Sequence, residues 1–245
     1  MLSAVLVPLP EAVIRLRRAT SEIRDAYGAR PGAAREITPD QVVDALEQFL
    51  TIAQRLDRGE RETGPMLKDD VTRLGEYGLS MLAELIAVAE QLELPDVRPP
   101  LDETALAVTD WIMRHDGELR MLEPIVNALA ALANRTHGRP ELGELERLMA
   151  RVIHAATNAC RQERDGAAIR QPWRLLHLNR GIVATRTHDP EIMEQAFDDI
   201  VRYLPDDAPT FFAEGMEQMV ALNYPPQVRA VVTRFYERFT RRAMH

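Results

Sequence analysis

A chain of 245 residues with 46% hydrophobic and 28% charged side chains has the balance of an ordinary folded protein, long enough to bury a core without disulfide or metal staples. Its single cysteine, Cys160, excludes an internal disulfide and suits a reducing compartment. A net charge of −8 argues against general nucleic-acid binding, which requires positive potential along the phosphate backbone.

Residues 1–10 are apolar but carry no basic leader, and Pro8 and Pro10 cut the run short. Elsewhere no stretch approaches the ~20 consecutive apolar residues of a spanning helix. No membrane span is expected, and a cytoplasmic location follows.

The first predicted helix occupies residues 10–27, where Val13, Ile14, Leu16 and Ile23 alternate with arginines; residues 28–35, rich in Gly, Pro and Ala, form a linker. Thr38-Pro39-Asp40-Gln41 is the strongest start signal in the chain: Thr38 can accept from the third helical N–H while Gln41 reaches back, and Pro39 fits the first helical position. Val42, Val43, Leu46, Phe49, Leu50, Ala53 and Leu56 then share one face. A charged loop is expected at 58–65. Beyond it Val71, Leu74, Met81, Leu82, Leu85 and Ala89 mark a long helix ending at Leu94-Pro95. Gly75 and Gly78 lie on one side of it, and since glycine inside a helix costs about 1 kcal/mol relative to alanine, they imply either a close helix approach, the reading preferred, or a kink.

Leu101, Ala105, Val108 and Ile112 define the next helix, stopped at Asp116-Gly117. Another runs from 119 to 135, with Pro124 breaking or bending its first part, and a further one carries Leu145, Leu148, Met149, Val152, Ile153, Ala156 and Cys160. The polar residues 161–170 are the only candidate domain boundary, giving an N-terminal helical region, 1–164, and C-terminal helical hairpins, 165–245.

Four helices follow. Pro172 opens one with Leu175, Leu178 and Ile182 at helical spacing, widened by Leu176 and Val183. Asp189-Pro190 starts a second through Ile192, Met193, Ala196, Phe197, Ile200, Val201 and Leu204. Phe212, Met216 and Met219 sit on a third. Val228, Val231, Val232, Phe235, Tyr236 and Phe239 give the last helix one apolar face. Short links make antiparallel neighbours the natural geometry. An offset of 34 residues superposes Gly181 on Gly215, Leu178 on Phe212, Ile182 on Met216 and Phe197 on Val231, the period of a tetratricopeptide-type hairpin. That family's signature tryptophan and tyrosine positions are not reproduced, so the likeness is one of geometry. The fold expected is all-α, about ten antiparallel helices in an array or irregular bundle.

Signatures of catalysis are sparse. No glutamate stands three residues before a histidine, no His-Glu-x-x-His occurs, and no phosphate-cradling glycine loop follows a strand. The paired acids Asp69-Asp70, Asp198-Asp199 and Asp206-Asp207 do not continue into magnesium-chelating boxes; Asp206-Asp207 reads as a helix start. His154 and Cys160 diverge around a helix, so Cys160 reads as a small buried hydrophobe, and His154 with Asn158 as a polar pair on one face. No cofactor or metal is expected.

Two patches remain as binding candidates. Trp173, Arg174, His177 and Arg180 recur on adjacent turns, where an aromatic plate and guanidinium groups could hold an acidic group. Arg234 and Arg238 belong to an arginine-rich last helix with Arg229, Arg241 and Arg242, opposed only by Glu237. The leading expectation is a non-enzymatic module that binds another protein or a second copy of itself. The alternatives are a helical enzyme or ligand binder using His177, Arg174 and Arg180 on an anion, and nucleic-acid binding through the last helix.

Overall fold

The structure is a computed structural model and describes residues 5–29, 37–60, 67–158, 160 and 171–243, of which 240–243 are described by their backbone alone. Most of the linker expected at 28–35, most of the loop at 58–65 and all of the boundary segment 161–170 lie outside the described residues. The chain is all-α. Among the described residues there are ten α-helices and a short 3₁₀ turn, Pro95–Val97, with no strand beyond one isolated bridge. None of these helices is long and apolar enough to cross a membrane.

Two compact units emerge. The first comprises residues 1–131 and 154–163, the second 132–153 and 164–245, so the division falls within two helices.

In the first unit, α1 (Leu9–Gly28), α2 (Pro39–Asp57), α3 (Lys68–Gln91) and α4 (Arg98–Arg114) pack side by side, with α4 against α1 and α3, and α2 against α1 and α3. The start of α2 is the expected capping box: Gln41 N–H donates to Thr38 Oγ1 and Thr38 N–H to Gln41 Oε1. From Thr104 to Ile112 α4 is inward on every side, and even Asp102, Thr104, Thr109 and Asp110 are buried along it. Its acids are matched one turn along, Asp102 by Arg98 at 2.8 Å and Asp110 by Arg114 at 2.9 Å. Gly75 and Gly78 explain how α3 fits here. A methyl group on Gly75 would overlap the Ile112 side chain, and one on Gly78 the Phe49 ring, so α3 meets α4 and α2 more closely than any larger residue allows.

The expected helix at 119–135 is shorter. Residues 119–122 are non-helical and α5 spans Glu123–Arg135, with Pro124 in its first turn, where its missing N–H costs nothing. Leu119 instead exchanges backbone hydrogen bonds with Ala155 and Thr157. The same exchange ends α6 (Arg139–Ala155), which does not run on to Cys160; His154 and Asn158 therefore do not share one continuous helix.

The second unit takes in the end of α5, most of α6, and α7 (Pro172–Thr187), α8 (Pro190–Tyr203), α9 (Ala208–Ala221) and α10 (Pro226–Ala243). α7 packs on α8, α9 on α10, and α10 also on α8. Asp189 caps α8 as its sequence foretells, accepting from the N–H groups of Glu191 and Ile192. The core is aromatic. Phe197, Phe212 and Phe235 meet one another at centroid distances of 5.2–5.3 Å, and Phe239 stacks on Phe212.

The inward face of α7 differs from the predicted stripe. Trp173, Leu176, His177, Arg180, Val183 and Ala184 are buried, whereas Ile182 is 51% exposed. An arginine can face inward here because carboxylates from two other helices meet it. Spacing alone assigns the apolar residues inward and cannot register that compensation.

Candidate functional site

Trp173, His177 and Arg180 are buried in the second unit and Arg174 is half-buried; the two rings meet each other, while each arginine turns to carboxylates. Trp173 lies edge-on to His177 at 4.6 Å and to Tyr203 at 6.1 Å. The Arg180 guanidinium, 5% exposed, donates through Nε to Glu146 Oε1 at 2.7 Å and through Nη1 to Asp199. Glu146 is itself 3% exposed, so this buried charge pair ties α6 to α7, and Asp199 brings in α8. Arg174 pairs with Asp207 at 2.6 Å, and the hydrogen bond raises its pKa. Asp207 stands at the start of α9, as expected of a helix-start acid, but its carboxylate turns to Arg174 and makes no capping bond. The charge on each guanidinium is thus met by carboxylate from its own unit.

Arg234 pairs with Glu194 at 2.6 Å with both side chains exposed, and its guanidinium lies over the Phe235 ring; Arg238 lies likewise over Phe239. The side chains of Arg241 and Arg242 lie outside the described residues. Cys160 is buried, as expected, with Sγ 3.2 Å from the Arg120 carbonyl. Among the described residues no group of three or more His, Cys, Asp or Glu side chains converges in a metal-binding arrangement.

A concavity of the second unit lies elsewhere. A groove of about 480 Å³ runs along α7 and α9, floored by Phe197, Phe211, Phe212, Met219 and Val232. Gly181 allows it: a Cβ there would approach Ile200 and Phe211 to 2.7 Å, so α8 and the Phe211 ring of α9 come close against α7. Gly215, its counterpart at the 34-residue offset, is a different case, with the nearest atom of Val232 at an ordinary 3.4 Å. Ile182 forms one lip of the groove and Leu222, 62% exposed, part of its end. On the α9 side the lip carries Glu214 and Glu217.

At the Leu222 end the character changes. A smaller cavity of about 290 Å³, lined by His137, Arg186, His188, Asn223 and Tyr224, shares Arg186, Leu222 and Tyr224 with the groove and has no acidic residue in its wall among the described residues. Arg186 donates from Nη1 to the Ala133 carbonyl and from Nη2 to the Thr136 carbonyl, closing the end of α5. His188 holds a left-handed backbone, φ 60°, at the end of α7, a conformation histidine adopts more readily than most residues. Its ring lies 5.2 Å from Tyr224, and its Nδ1 is buried without a hydrogen-bond partner. Burial, aided by the positive charge of Arg139, lowers its pKa. Neither Arg186 nor His188 stands out in the sequence, because what distinguishes them is missing compensation.

No family model matches the chain, and no curated protein and no solved structure shows significant similarity to it.

Proposed function

We propose that this chain is a non-enzymatic interaction module whose C-terminal helical hairpins hold a segment of a partner protein, or of another copy of itself, in the groove along α7 and α9. The observation that supports this reading is the groove's composition: aromatic and aliphatic side chains floor it, and its rim leaves Ile182 and Leu222 half-exposed or more. Apolar surface left open in a concavity gains about 25 cal/mol per Å² when a partner covers it. Aromatic anchors grouped at the centre of a depression are where binding energy concentrates. Helical hairpins laid side by side suit such a role, since each adds to one continuous face. The repeat-like offset belongs to this proposal. An anion site around Arg174 and Arg180 gains nothing from geometry, because carboxylates already neutralise both.

The test is photo-crosslinking of the full chain in its native cells. Gln218 lines the groove, whereas Val220, on the same helix and 79% exposed, does not. With p-benzoylphenylalanine at position 218, we expect crosslinks to one discrete polypeptide, or to the chain itself, that disappear with Ile182→Glu. Crosslinks in equal yield from 218 and 220, or none from 218, would overturn the reading.

A further inference from the structure

The groove has a chemical direction, and with it a preferred occupant. We infer that it receives the C-terminal end of a partner polypeptide, with apolar side chains on the phenylalanine floor and the free α-carboxylate seated between Arg186 and His188. This rests on the groove being a docking site at all.

Three observations carry it. Arg186 is a fixed cation with no carboxylate partner among the described residues: each terminal nitrogen gives one N–H to a carbonyl, of Ala133 or of Thr136, which anchors the group without neutralising it and leaves further N–H groups to donate. It stands in the wall common to the apolar groove and the smaller cavity, so an anion reaching it is continuous with an apolar body in the groove. The buried Nδ1 of His188, in that cavity, lacks a partner, and a carboxylate oxygen could accept from it. Arg139 adds positive field at His188, and His137 is a further ring in the same wall. Asp189, next to His188 in the chain, uses its carboxylate to cap α8, and the Glu141 carboxylate lies against Gly138. At the α9 lip the sign reverses, since Glu214 and Glu217 repel an anion there and confine it to the Arg186 end. A chain end satisfies this layout. It supplies apolar side chains at peptide spacing and a carboxylate that pairs with a guanidinium through charge-assisted hydrogen bonds. The open lip at Ile182 suits a peptide backbone lying in the groove better than the closed tunnel that envelops a lipid chain.

The test uses the full chain and an array of ten-residue peptides with varied apolar residues at the last four positions. Each sequence is synthesised twice, as free acid and as carboxamide. We expect a subset to bind as the acid at least about tenfold more tightly than as the amide. Arg186→Met should erase the difference between acid and amide. His188→Asn, which keeps a residue tolerant of the left-handed backbone, should reduce it. Acid and amide binding equally, with Ile182→Glu weakening both, would overturn the carboxylate assignment while leaving the groove as a docking site. Dodecanoate binding at Arg186 while no peptide binds would overturn it in favour of a lipid. Binding of neither, together with no crosslink from position 218, would overturn both readings.

Discussion

The two units solve the burial of charge in opposite ways. In the first, α4 carries its own compensation: Asp102 is answered by Arg98 and Asp110 by Arg114, each one turn away on the same helix. In the second, Arg180 is buried on α7 and answered from α6 and α8 by Glu146 and Asp199. Local compensation lets the buried acids of a helix be met without a charged partner from a neighbouring helix. Distant compensation makes a helix depend on the assembled unit, and it dictates which face turns inward. One consequence is functional. Because Arg180 takes an inward position on α7, Ile182 is left on the surface, where it becomes a lip of the groove.

Trp111 in the first unit and Trp173 in the second allow each to be followed by fluorescence, with Trp173→Phe and Trp111→Phe backgrounds isolating the signals. The largest effect should come from Arg180→Met. It leaves Glu146 charged and buried, and we expect the second unit to lose about 3–5 kcal/mol in urea unfolding. Arg180→Met with Glu146→Leu should recover much of that loss. In the first unit, Gly78→Val should cost about 1–3 kcal/mol, since the Phe49 ring fills the space. Gly143→Ala in the second should be neutral or stabilising by up to about 1 kcal/mol, the nearest atom to a new methyl being Ile192 Cδ1 at 3.9 Å.

Acid should separate the units by different groups. Burial raises the pKa of Asp57, but hydrogen bonds from Arg114 and His115 outweigh it and hold the carboxylate below its ordinary 3.8. A depressed carboxylate stabilises above its unfolded pKa and loses that contribution as pH falls through the folded one, so the first unit should weaken below about pH 4. For His188 the folded pKa is lowered from 6.5, so the folded state disfavours the proton. The second unit should therefore begin to lose stability as pH drops below about 6.5, and His188→Asn should remove that limb of the curve. Smallest of all should be Arg234→Ala. Its pair with Glu194 is exposed at both ends, and a change of about 0–1 kcal/mol is expected.

Much of the helical layout was legible in the sequence because its signals are local. The Thr38 capping box and the Asp189-Pro190 start each depend on neighbours within a turn or two, and the glycines of α3 signal a close approach by residue type alone, although the side chains they admit, Ile112 and Phe49, come from α4 and α2. Periodicity misassigned the inward face of α7 and joined 119–122 to α5 for a shared reason: the deciding partners, Glu146 and Asp199 for Arg180 and Ala155 and Thr157 for Leu119, are distant in sequence. Trp173, Arg174, His177 and Arg180 share one helix as their spacing suggests, but the carboxylates that meet Arg174 and Arg180 come from other helices, which spacing does not register. The groove was only half legible. Phe212 and Met219 were on the predicted apolar face of α9, while Phe211 and the uncompensated Arg186 become visible only once α5, α7 and α9 are in place.

Hydrogen–deuterium exchange on the full chain, alone and saturated with the polypeptide captured from position 218, tests the central claim most directly. The account predicts slowed exchange confined to α7, α9 and the turn at Asn223, with the first unit unchanged. Protection centred on α2 and α3, or none in α7 and α9, would contradict it.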